Sequence, residues 1–571
     1  MNPEQTLAAG CTDQDSLIIA CPGSGKTRTI IGKTLRLVDG LNPGDRIVLV
    51  TFTRKAALQL AERLGRASSN VMVGTFHSLA FRVMRLHRYD QYGGVVHMMT
   101  SAESVALRRD VVAATDEERE EVYREAKRRE RKKDFQDLLI DMSRFLEHPS
   151  SLVFRESTKH LMVDEYQDIN DLQESIIRSW ISRGCCLTAV GDDGQSIYAF
   201  RGASIGHILG FCSQNARRFT LTQNYRNPPS VIRFAQRVIG QNTGQISKKM
   251  VATKRGGSVV IEGFANQHRE ARYIADQAAK HIQDLTKTPS PGDSPVCAIL
   301  VRYHVQSPAI EFALRRRSVP YTIVRSRSIF DQPCIAVLLS MTRLQMDQSL
   351  SRDWVRVLCF LPGIGPKTAQ KLSNAAARVT DTGKDFADSV LISGAPRSWK
   401  TGVDTVMWLK TRQSVPSCIH RLDELLVEKL RHASSPKVVE RVEGHRLQLK
   451  RFRRAIAGMD TTDSNNLAAS LLLDADSGAG AESSPPECTP VHLMTIHASK
   501  GLEFPNCIVA GVSSDTFPRP TLTLAEREEE RRLLYVAITR TEDTLVVTHI
   551  GQPSMFIKSA LRRREVFAQE R

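Results

Sequence analysis

A glycine-rich loop near the start of the chain has the residue types needed to bind phosphate groups. It runs from Ala20 to Thr27 (Ala-Cys-Pro-Gly-Ser-Gly-Lys-Thr) and follows the apolar run Ser16–Ala20. Its glycines let backbone amides approach phosphate oxygens closely, and a helix starting after them adds partial positive charge. Lys26 is placed to reach the β- and γ-phosphates, and the Thr27 hydroxyl to hold Mg²⁺. The loop predicts a nucleoside triphosphate site, with Ala20 where this pattern usually has its first glycine.

A pair of carboxylates provides the metal ligand and the activator of water that such a site needs. Asp164 and Glu165 directly follow the apolar run Leu161–Val163. At the end of a strand beside the phosphate loop, Asp164 would lie near Mg²⁺ and Glu165 near the attacking water. An Asp-Glu pair alone is common on protein surfaces, so the preceding strand and the upstream loop carry this interpretation. The combination predicts hydrolysis of the bound triphosphate.

The elements that must position these residues alternate in type along the chain. Over the first 230 residues, apolar runs are separated by helical patterns, which indicates a parallel sheet covered by helices on both faces. Strand character returns between about residues 255 and 335, whereas residues 86–150 and 336–473 are mainly helical. Residues 474–490 are rich in Ser, Gly, Ala and Pro, which predicts a flexible linker. The predicted strands are Ser16–Ala20, Arg46–Phe52, Leu161–Val163, Leu187–Val190, Val296–Val301, His492–Thr495 and Cys507–Ala510, and a helix is predicted from Pro308 to Arg317.

Composition restricts the class of protein without deciding its partner. The chain of 571 residues has 79 Lys and Arg against 62 Asp and Glu, a formal net charge of +17. This surplus favours a polyanionic partner such as nucleic acid, but it also serves solubility, so composition leaves both interpretations open.

The length predicts roughly three to five domains. No apolar run approaches the roughly 20 residues that cross a bilayer, and the N-terminus lacks the pattern of a secretory signal. The 11 cysteines show no zinc-site spacing, which predicts reduced thiols in an intracellular protein.

The complete set of motifs, in this order and spacing, resembles the UvrD/Rep group of superfamily 1 DNA helicases from the first residues to about residue 550. The matching segments are residues 2–5 (Asn-Pro-Glu-Gln), the phosphate loop with Arg28, 51–57, 74–77, 134–139, 164–168 (Asp-Glu-Tyr-Gln-Asp), 190–198, 224–226 (Asn-Tyr-Arg), 495–503 and 535–540.

The resemblance implies an α/β fold with two RecA-like P-loop NTPase domains, parallel sheets flanked by helices, each carrying a mainly helical insert. The implied ranges are 1–85 and 151–228 for the first RecA-like domain (1A), 86–150 for insert 1B, 229–335 and 486–550 for the second RecA-like domain (2A), 336–485 for insert 2B, and 551–571 for a basic tail. A fused nuclease is not expected, because only about 30 residues follow Arg540 and a nuclease domain needs on the order of 100.

The resemblance also implies roles around ATP and Mg²⁺. The arginines Arg226 and Arg540 would reach the γ-phosphate from across a cleft, so that nucleotide binding pulls the two domains together. Gln195 would connect the γ-phosphate to the DNA side. The implied catalytic residues are Lys26, Asp164, Glu165, Gln195, Arg226 and Arg540. The implied nucleotide-binding residues are Gln5 at the adenine, Arg28 and Tyr225 around it, Glu503 at the ribose, and Cys21, Pro22, Gly23, Ser24, Gly25, Lys26, Thr27, Arg226, Gly501 and Arg540, with Thr27 and Asp164 as metal ligands.

DNA contacts implied by the resemblance fall in two groups. Phe52, Tyr198 and Phe200 occupy positions that stack on bases of single-stranded DNA. Core packing is the commoner role of a single aromatic residue, and the motif context favours stacking for Tyr198 and Phe200. Residues 361–368 resemble a helix–hairpin–helix turn that holds a duplex phosphate, with a plain helix connection as the alternative. The implied DNA-binding residues are Phe52, Thr53, Thr75, His77, Tyr198, Phe200, Gly363 and Gly365.

Three functional hypotheses follow. The leading one is an ATP-driven helicase that moves 3′→5′ on single-stranded DNA and unwinds duplexes in repair, recombination or replication, its direction being implied by the resemblance. The second is a translocase that strips proteins from DNA without efficient unwinding. The third, a DNA-binding scaffold with an inactive ATPase, is disfavoured because the ATPase residues are all present. Expected partners are single-stranded DNA, junctions with duplex, and repair or replication proteins at the basic tail around Arg562–Arg564, with no membrane. A monomer or weak dimer in the cytoplasm with the nucleoid is expected, or in a nucleus or organelle if the source is eukaryotic.

Overall fold

The computed structural model divides the chain into two compact units. Unit 1 comprises Met1–Ser258, Thr521–Asp543 and Ser559–Arg571, and unit 2 comprises Val259–Pro520 and Thr544–Lys558. Segment Thr521–Asp543, which the resemblance assigns to domain 2A, therefore belongs to unit 1, and the four-domain division stays a prediction. The structure describes residues 1–86, 97–100, 103–104, 107–108, 115–181, 184–211, 216–285, 295–361, 364–378, 400–411, 413–431, 433, 435–457, 471–472 and 489–561.

Unit 1 is built on a six-stranded sheet in the order β3-β2-β6-β7-β1-β8, and every neighbouring pair is parallel. The four strands predicted in this part of the chain are confirmed, although the second ends at Val50 rather than Phe52. Most of their residues are buried because helices cover both faces of the sheet. The strands of this sheet are β1 Ser16–Ala20, β2 Arg46–Val50, β3 Val71–Gly74, β6 Thr158–Val163, β7 Cys186–Gly191 and β8 Arg217–Leu221. Two short parallel ribbons lie outside the sheet. One pairs β4 His97–Met98 with β5 Lys132–Lys133, and the other pairs β9 Gln223–Asn224 with β10 Val251–Ala252.

The helices of unit 1 pack their apolar faces on this sheet and on one another. The helix that starts at Phe135 shows how: Asp134 caps it by accepting from the amides of Gln136 and Asp137, and its apolar residues at helical spacing are buried. The helices are α1 Pro3–Gly10, α2 Lys26–Val38, α3 Arg54–Leu64, α4 Phe76–Leu86, α5 Asp116–Arg129, α6 Phe135–Glu147, α7 Leu152–Ser157, α8 Asp171–Ile181, α9 Ile205–Leu209, α10 Pro229–Ile239 and α19 Leu524–Ile538.

Unit 2 contains a second six-stranded sheet, in the order β11-β16-β15-β12-β14-β13. Strand β12 is parallel to β14 and β15, and β13 is parallel to β14. The predicted strands at residues 296–301, 492–495 and 507–510 and the predicted helix at 308–317 are confirmed within a few residues. The strands are β11 Ser258–Phe264, β12 Cys297–Val301, β13 Tyr321–Ile323, β14 Val491–Thr495, β15 Phe504–Ala510 and β16 Thr541–Ile550, and the helices beside them are α11 Gln267–Leu285, α12 Ser307–Arg316 and α20 Met555–Ala560.

From Pro333 onward the described chain before β14 is mainly helical, as predicted for residues 336–473. These helices share one core, in which Trp354 is fully buried. The predicted linker 474–490 lies outside the described residues except for 489–490. The helices are α13 Pro333–Met346, α14 Ser351–Phe360, α15 Pro366–Arg378, α16 Lys400–Lys410, α17 Val415–Arg431 and α18 Pro436–Ile456.

Two further expectations concern the described part of the chain. None of its helices is both long and apolar enough to cross a bilayer. Its cysteines are free thiols, seven of them buried and the other two partly buried, as predicted.

The core of the helical part of unit 2 depends on Trp354. Its indole ring is 0% exposed and its Nε1 donates to the backbone oxygen of Gln348 at 2.9 Å. We predict that Trp354→Ala lowers the free energy of unfolding by about 3–5 kcal/mol, because it leaves a cavity. Urea unfolding followed by far-ultraviolet circular dichroism measures this loss. Leu447→Ala, at a side chain that is 50% exposed on α18, is the control and should change stability by less than about 0.5 kcal/mol. Equal losses in the two variants would contradict the role of Trp354.

Candidate active site

The phosphate loop connects β1 to α2 in a conformation that glycine makes accessible. Gly23 and Gly25 have φ angles of +65° and +82°, in the left-handed region. A Cβ atom on Gly23 would lie 2.5 Å from the Cβ of Arg226, and one on Gly25 would lie 2.5 Å from Nε2 of Gln5. Gly25 is the N-cap of α2 and offers no side-chain acceptor to its first amides. The loop thus brings amides of a helix N-terminus close to other candidate residues, which suits an anion.

Asp164 and Glu165 follow β6, the strand two places from β1 in the sheet. Lys26 Nζ lies 3.4 Å from both carboxylate oxygens of Glu165. Burial, and after it the negative charge of the adjacent Glu165, raise the pKa of Asp164 to about 7. Burial lowers the pKa of Lys26, but Glu165, Asp192 and Asp164 outweigh burial, so this pKa lies above its ordinary value. The lysine is therefore held as a cation among carboxylates.

The loop after β7 adds the next group of candidate residues. Gln195 Nε2 donates to Asp192 Oδ2 at 2.7 Å, and Gln195 Oε1 accepts from Nη2 of Arg540 at 3.1 Å. Arg540 is 2% exposed and also donates from Nε to the backbone oxygen of Val536 in α19. Arg226 Nη1 donates to the backbone oxygen of Thr539 at 3.4 Å. Unit 1 therefore contains Gln195 and both predicted arginines.

Two buried side chains that sequence reasoning gave no role hold these loops together. Asn224 donates from Nδ2 to the backbone oxygen of Pro22 and accepts at Oδ1 from the amide of Arg226, so it ties the phosphate loop to an arginine. Gln167 donates to Glu165 Oε2 at 2.5 Å and accepts from the amide of Asp192 at 3.0 Å. Both residues lie in the matching segments 164–168 and 224–226 of the sequence, and a polar side chain within those segments was the available signal.

The residues expected around adenine lie at the N-terminus of α1 and beside it. Asn2 and Gln5 form a reciprocal cap, and Gln5 Nε2 donates to the backbone oxygen of Ser24 in the phosphate loop at 2.8 Å. Asn2 Nδ2 donates to the hydroxyl of Tyr225 at 2.9 Å. Tyr225 is 42% exposed and Arg28 is also exposed, so both side chains are accessible from solvent. This placement links the predicted base-binding residues to the phosphate loop.

The predicted base-stacking residues form a cluster of aromatic rings. Phe52 and Tyr198 stack with ring centroids 4.9 Å apart at 15°, and Tyr198 and Phe200 are 5.9 Å apart. The guanidinium of Arg201 lies 5.3 Å from the Tyr198 ring and 5.4 Å from the Phe200 ring. Tyr198 is 8% exposed and Phe200 is 66% exposed, so Phe200 is the ring presented to solvent. A large exposed aromatic residue beside a cation suits a nucleic-acid base.

Three other predicted DNA contacts have structural partners. Thr53 caps α3 by accepting from the amide of Ala56, and Thr75 exchanges hydrogen bonds with Ser78 at the start of α4. His77 packs edge-on against Phe135, and its pKa is lowered by burial and by Arg54. These contacts position Thr53 and Thr75 in the loops after β2 and β3, and His77 in the first turn of α4.

The remaining predicted residues lie elsewhere. Gly501 (φ +82°) and Glu503 belong to unit 2, just before β15, and Glu503 is exposed. Gly365 precedes α15, and a Cβ there would meet no atom within 4 Å. Gly363 and the tail at Arg562–Arg564 lie outside the described residues. Across the described part, no three His, Cys, Asp or Glu side chains converge as a metal site.

Comparison with protein families matches both parts of the chain. A model of the UvrD/REP helicase N-terminal domain matches residues 1–122 and 108–215. A model of the UvrD-like helicase C-terminal domain matches residues 219–390 and 419–552.

Similar proteins match over most of the length of both chains. ATP-dependent DNA helicase PcrA of Leuconostoc citreum is 28% identical, with 96% of this chain and 82% of the relative covered. DNA helicase II of Haemophilus influenzae is 27% identical, with 98% and 85% covered. A PcrA helicase of Staphylococcus epidermidis is 26% identical, with 100% and 86% covered.

The close approach of Gly23 to Arg226 predicts a sensitive position in the phosphate loop. We expect Gly23→Ala to weaken ATP binding by at least about tenfold, or 1.4 kcal/mol. The reason is that the new Cβ would displace the phosphate loop and the segment that carries Arg226. Gly44→Ala is the matched control: Gly44 also has a positive φ angle, +92°, but a Cβ there meets nothing within 4 Å. Isothermal titration calorimetry with ATP should show the loss in the first variant alone. Equal affinity in the two variants would count against this loop as the nucleotide site.

Proposed function

The chain belongs to the UvrD/REP helicase family of ATP-dependent DNA helicases, and from this premise we propose that it moves 3′→5′ along single-stranded DNA and separates duplexes. The observation that carries the proposal lies in unit 1. There one loop holds Gln195, which contacts the buried Arg540, and three residues later Tyr198, which stacks on Phe52. A group suited to sense the γ-phosphate and a ring suited to follow a base thus belong to the same short loop. The direction of movement rests on the family resemblance.

Nucleotide binding is assigned to the phosphate loop and the residues around it. The amides at the start of α2 and the ammonium of Lys26 bind the phosphates. Gln5 and Tyr225 lie on the side of the loop where the base would be read. The Thr27 hydroxyl and Asp164 fit a Mg²⁺ ion, because the partly buried Asp164 has a raised pKa beside a second carboxylate, and added positive charge stabilises its ionised form. When bound, Mg²⁺ neutralises negative charge on the phosphate oxygens.

Hydrolysis is assigned to the groups at the ends of β6 and β7. Glu165 orients and deprotonates the attacking water, a role worth typically about 10²–10⁴-fold in rate. Gln167 and Lys26 hold this carboxylate in place. Arg226 and Arg540 stabilise the charge that develops on the transferred phosphoryl group, since arginine stays ionised and binds phosphate with two donors.

DNA binding is assigned to the aromatic cluster, with Phe200 as its exposed member. Stacking of a base on an aromatic ring is worth roughly 1–3 kcal/mol and tolerates any sequence. Hydrolysis would be coupled to movement because the loop that carries Gln195 also carries Tyr198 and Phe200. The helix–hairpin–helix-like segment at residues 361–368 is proposed to contact duplex phosphate. A role in repair, recombination or replication is proposed on the same family basis.

The proposal predicts that Lys26→Ala abolishes DNA-stimulated ATP hydrolysis and leaves binding of single-stranded DNA largely intact. The reason is that Lys26 belongs to the phosphate loop, where it pairs with Glu165, whereas DNA binding is assigned to the aromatic cluster. A coupled ATPase assay and fluorescence anisotropy of labelled oligonucleotide measure the two properties. Arg63→Ala, which removes a cation from an exposed position of α3, is the control and should keep both. Normal ATP turnover in Lys26→Ala would show that the site is misassigned.

A strand-displacement assay tests the proposed activity and its direction. Duplexes with a 3′ single-stranded tail should be unwound with ATP, and those with a 5′ tail should not, because loading on the tail sets the direction of travel. Lys26→Ala should unwind neither. Unwinding of the 5′-tailed duplex alone would show that the protein moves 5′→3′ and that the proposed direction is wrong. DNA-stimulated ATP hydrolysis with neither duplex unwound would favour the translocase that removes proteins from DNA.

A further inference from the structure

A segment after α10 connects the two loops that carry Gln195 and Arg226. We call residues Ile246–Thr253 the strap. At its start, the amide of Ile246 donates to Asp193 Oδ2 at 2.9 Å. At its end, the amide and the hydroxyl of Thr253 both donate to the backbone oxygen of Asn224 at 3.0 Å, and β10 pairs with β9. The strap is therefore bound to both loops within unit 1.

Lys248 is the charged residue that the strap buries. Its side chain is 8% exposed, and its Nζ contacts one carboxylate oxygen each of Asp192 and Asp193, whose side chains are 0% and 1% exposed. Burial lowers the pKa of Lys248, but the two carboxylates outweigh burial and raise it above its ordinary value. Lys249, next in the chain, is exposed. Lys248 is thus a cation fixed between two buried anions.

The carboxylate of Asp192 contacts both Lys248 and Gln195 and so connects them. Its Oδ1 contacts Lys248 and accepts from the amide of Gly194 at 3.1 Å, while its Oδ2 accepts from Gln195 Nε2 at 2.7 Å. Because that amide nitrogen faces Asp192, the amide oxygen of Gln195 faces Arg540, from which it accepts. The contacts run without interruption from the strap to the arginine.

Removal of the lysine charge would disturb this arrangement for a physical reason. Two adjacent buried carboxylates without a cation carry a large desolvation and repulsion cost. The side chain of Asp192 would have to move toward water or take up a proton. In either case it no longer holds the Gln195 amide in the observed orientation, and groups that stabilise a transition state act only when held in place beforehand.

We propose that Lys248 is a positioning residue for ATP hydrolysis: by pairing with Asp192 and Asp193, it fixes Asp192 so that Gln195 keeps its amide oxygen toward Arg540. This inference rests on the proposed ATPase function. Lys248 itself is not assigned a contact with nucleotide. Its effect is expected on the chemical step rather than on binding.

The test compares Lys248→Met with the matched variant Lys249→Met at the exposed neighbour. In the presence of saturating single-stranded DNA, Lys248→Met should lower kcat for ATP hydrolysis by about 10²-fold. Its KM for ATP should change by less than about threefold, because binding groups are untouched. Lys248→Arg, which keeps the charge, should recover part of kcat, and Lys249→Met should behave as the unaltered protein. Normal kcat in Lys248→Met, or a raised KM with kcat unchanged, would overturn the proposal.

A double-mutant cycle with Gln195→Ala separates positioning from a general loss of structure. If Lys248 acts through Gln195, the double variant should be no slower than Gln195→Ala alone. Losses that multiply would exclude this route. If Lys248→Met does not fold, Asp192→Asn, of equal size, takes its place in the cycle with the same expected results. A protein that is inactive without any substitution would refute the proposed function itself, whereas an active protein with an active Lys248→Met variant would refute this inference alone.

Discussion

Burial of charge at one edge of the unit 1 sheet is the constraint on which the rest of the site depends. Glu165 pairs with Lys26, and Asp192 and Asp193 pair with Lys248. An ionised group taken out of water is tolerated only beside an opposite charge or several hydrogen bonds. Each carboxylate therefore determines where a basic side chain must lie, and the loops that carry these residues have little freedom to adopt other conformations. The same arrangement leaves an environment suited to a highly charged ligand.

The parallel sheet explains how residues distant in sequence reach this edge. Strands β6, β7 and β1 are neighbours, and in a parallel sheet their carboxyl ends lie at the same edge. The loop that carries Asp164 and Glu165 follows β6, the loop that carries Gln195 (the Gln195 loop) follows β7, and the phosphate loop follows β1. Helix α19 then brings Arg540 to Gln195 across 345 residues of sequence. Functional groups from four separate segments meet because the sheet and one helix fix their ends.

The parts of the fold that sequence predicted are those set by local patterns. Apolar runs located the central strands, and loop composition predicted the turn between β1 and the helix that starts at Lys26. The roles of Asn224, Gln167 and Lys248 were not predicted, because each depends on partners brought near by the tertiary fold. Lys248 is 56 residues from Asp192 and lies in a segment with no periodic pattern. The grouping of Arg540 with unit 1 likewise depends on tertiary packing rather than on the order of motifs.

Helix α19 makes a second set of contacts with the Gln195 loop. These contacts are relevant to how ATP hydrolysis could be coupled to the movement of DNA-binding residues. Arg532 Nε donates to the backbone oxygen of Ser196, and Glu529 accepts from the amide of Ala199 at 2.9 Å. The loop is thus held by the helix at residues on both sides of Tyr198, and by Arg540 just beyond the end of that helix. A loop held at several points cannot relax residue by residue. Under the proposed function, we expect a shift at Gln195 to move the Tyr198 ring or the helix with it, which is the connection that a motor needs between its phosphate site and its DNA.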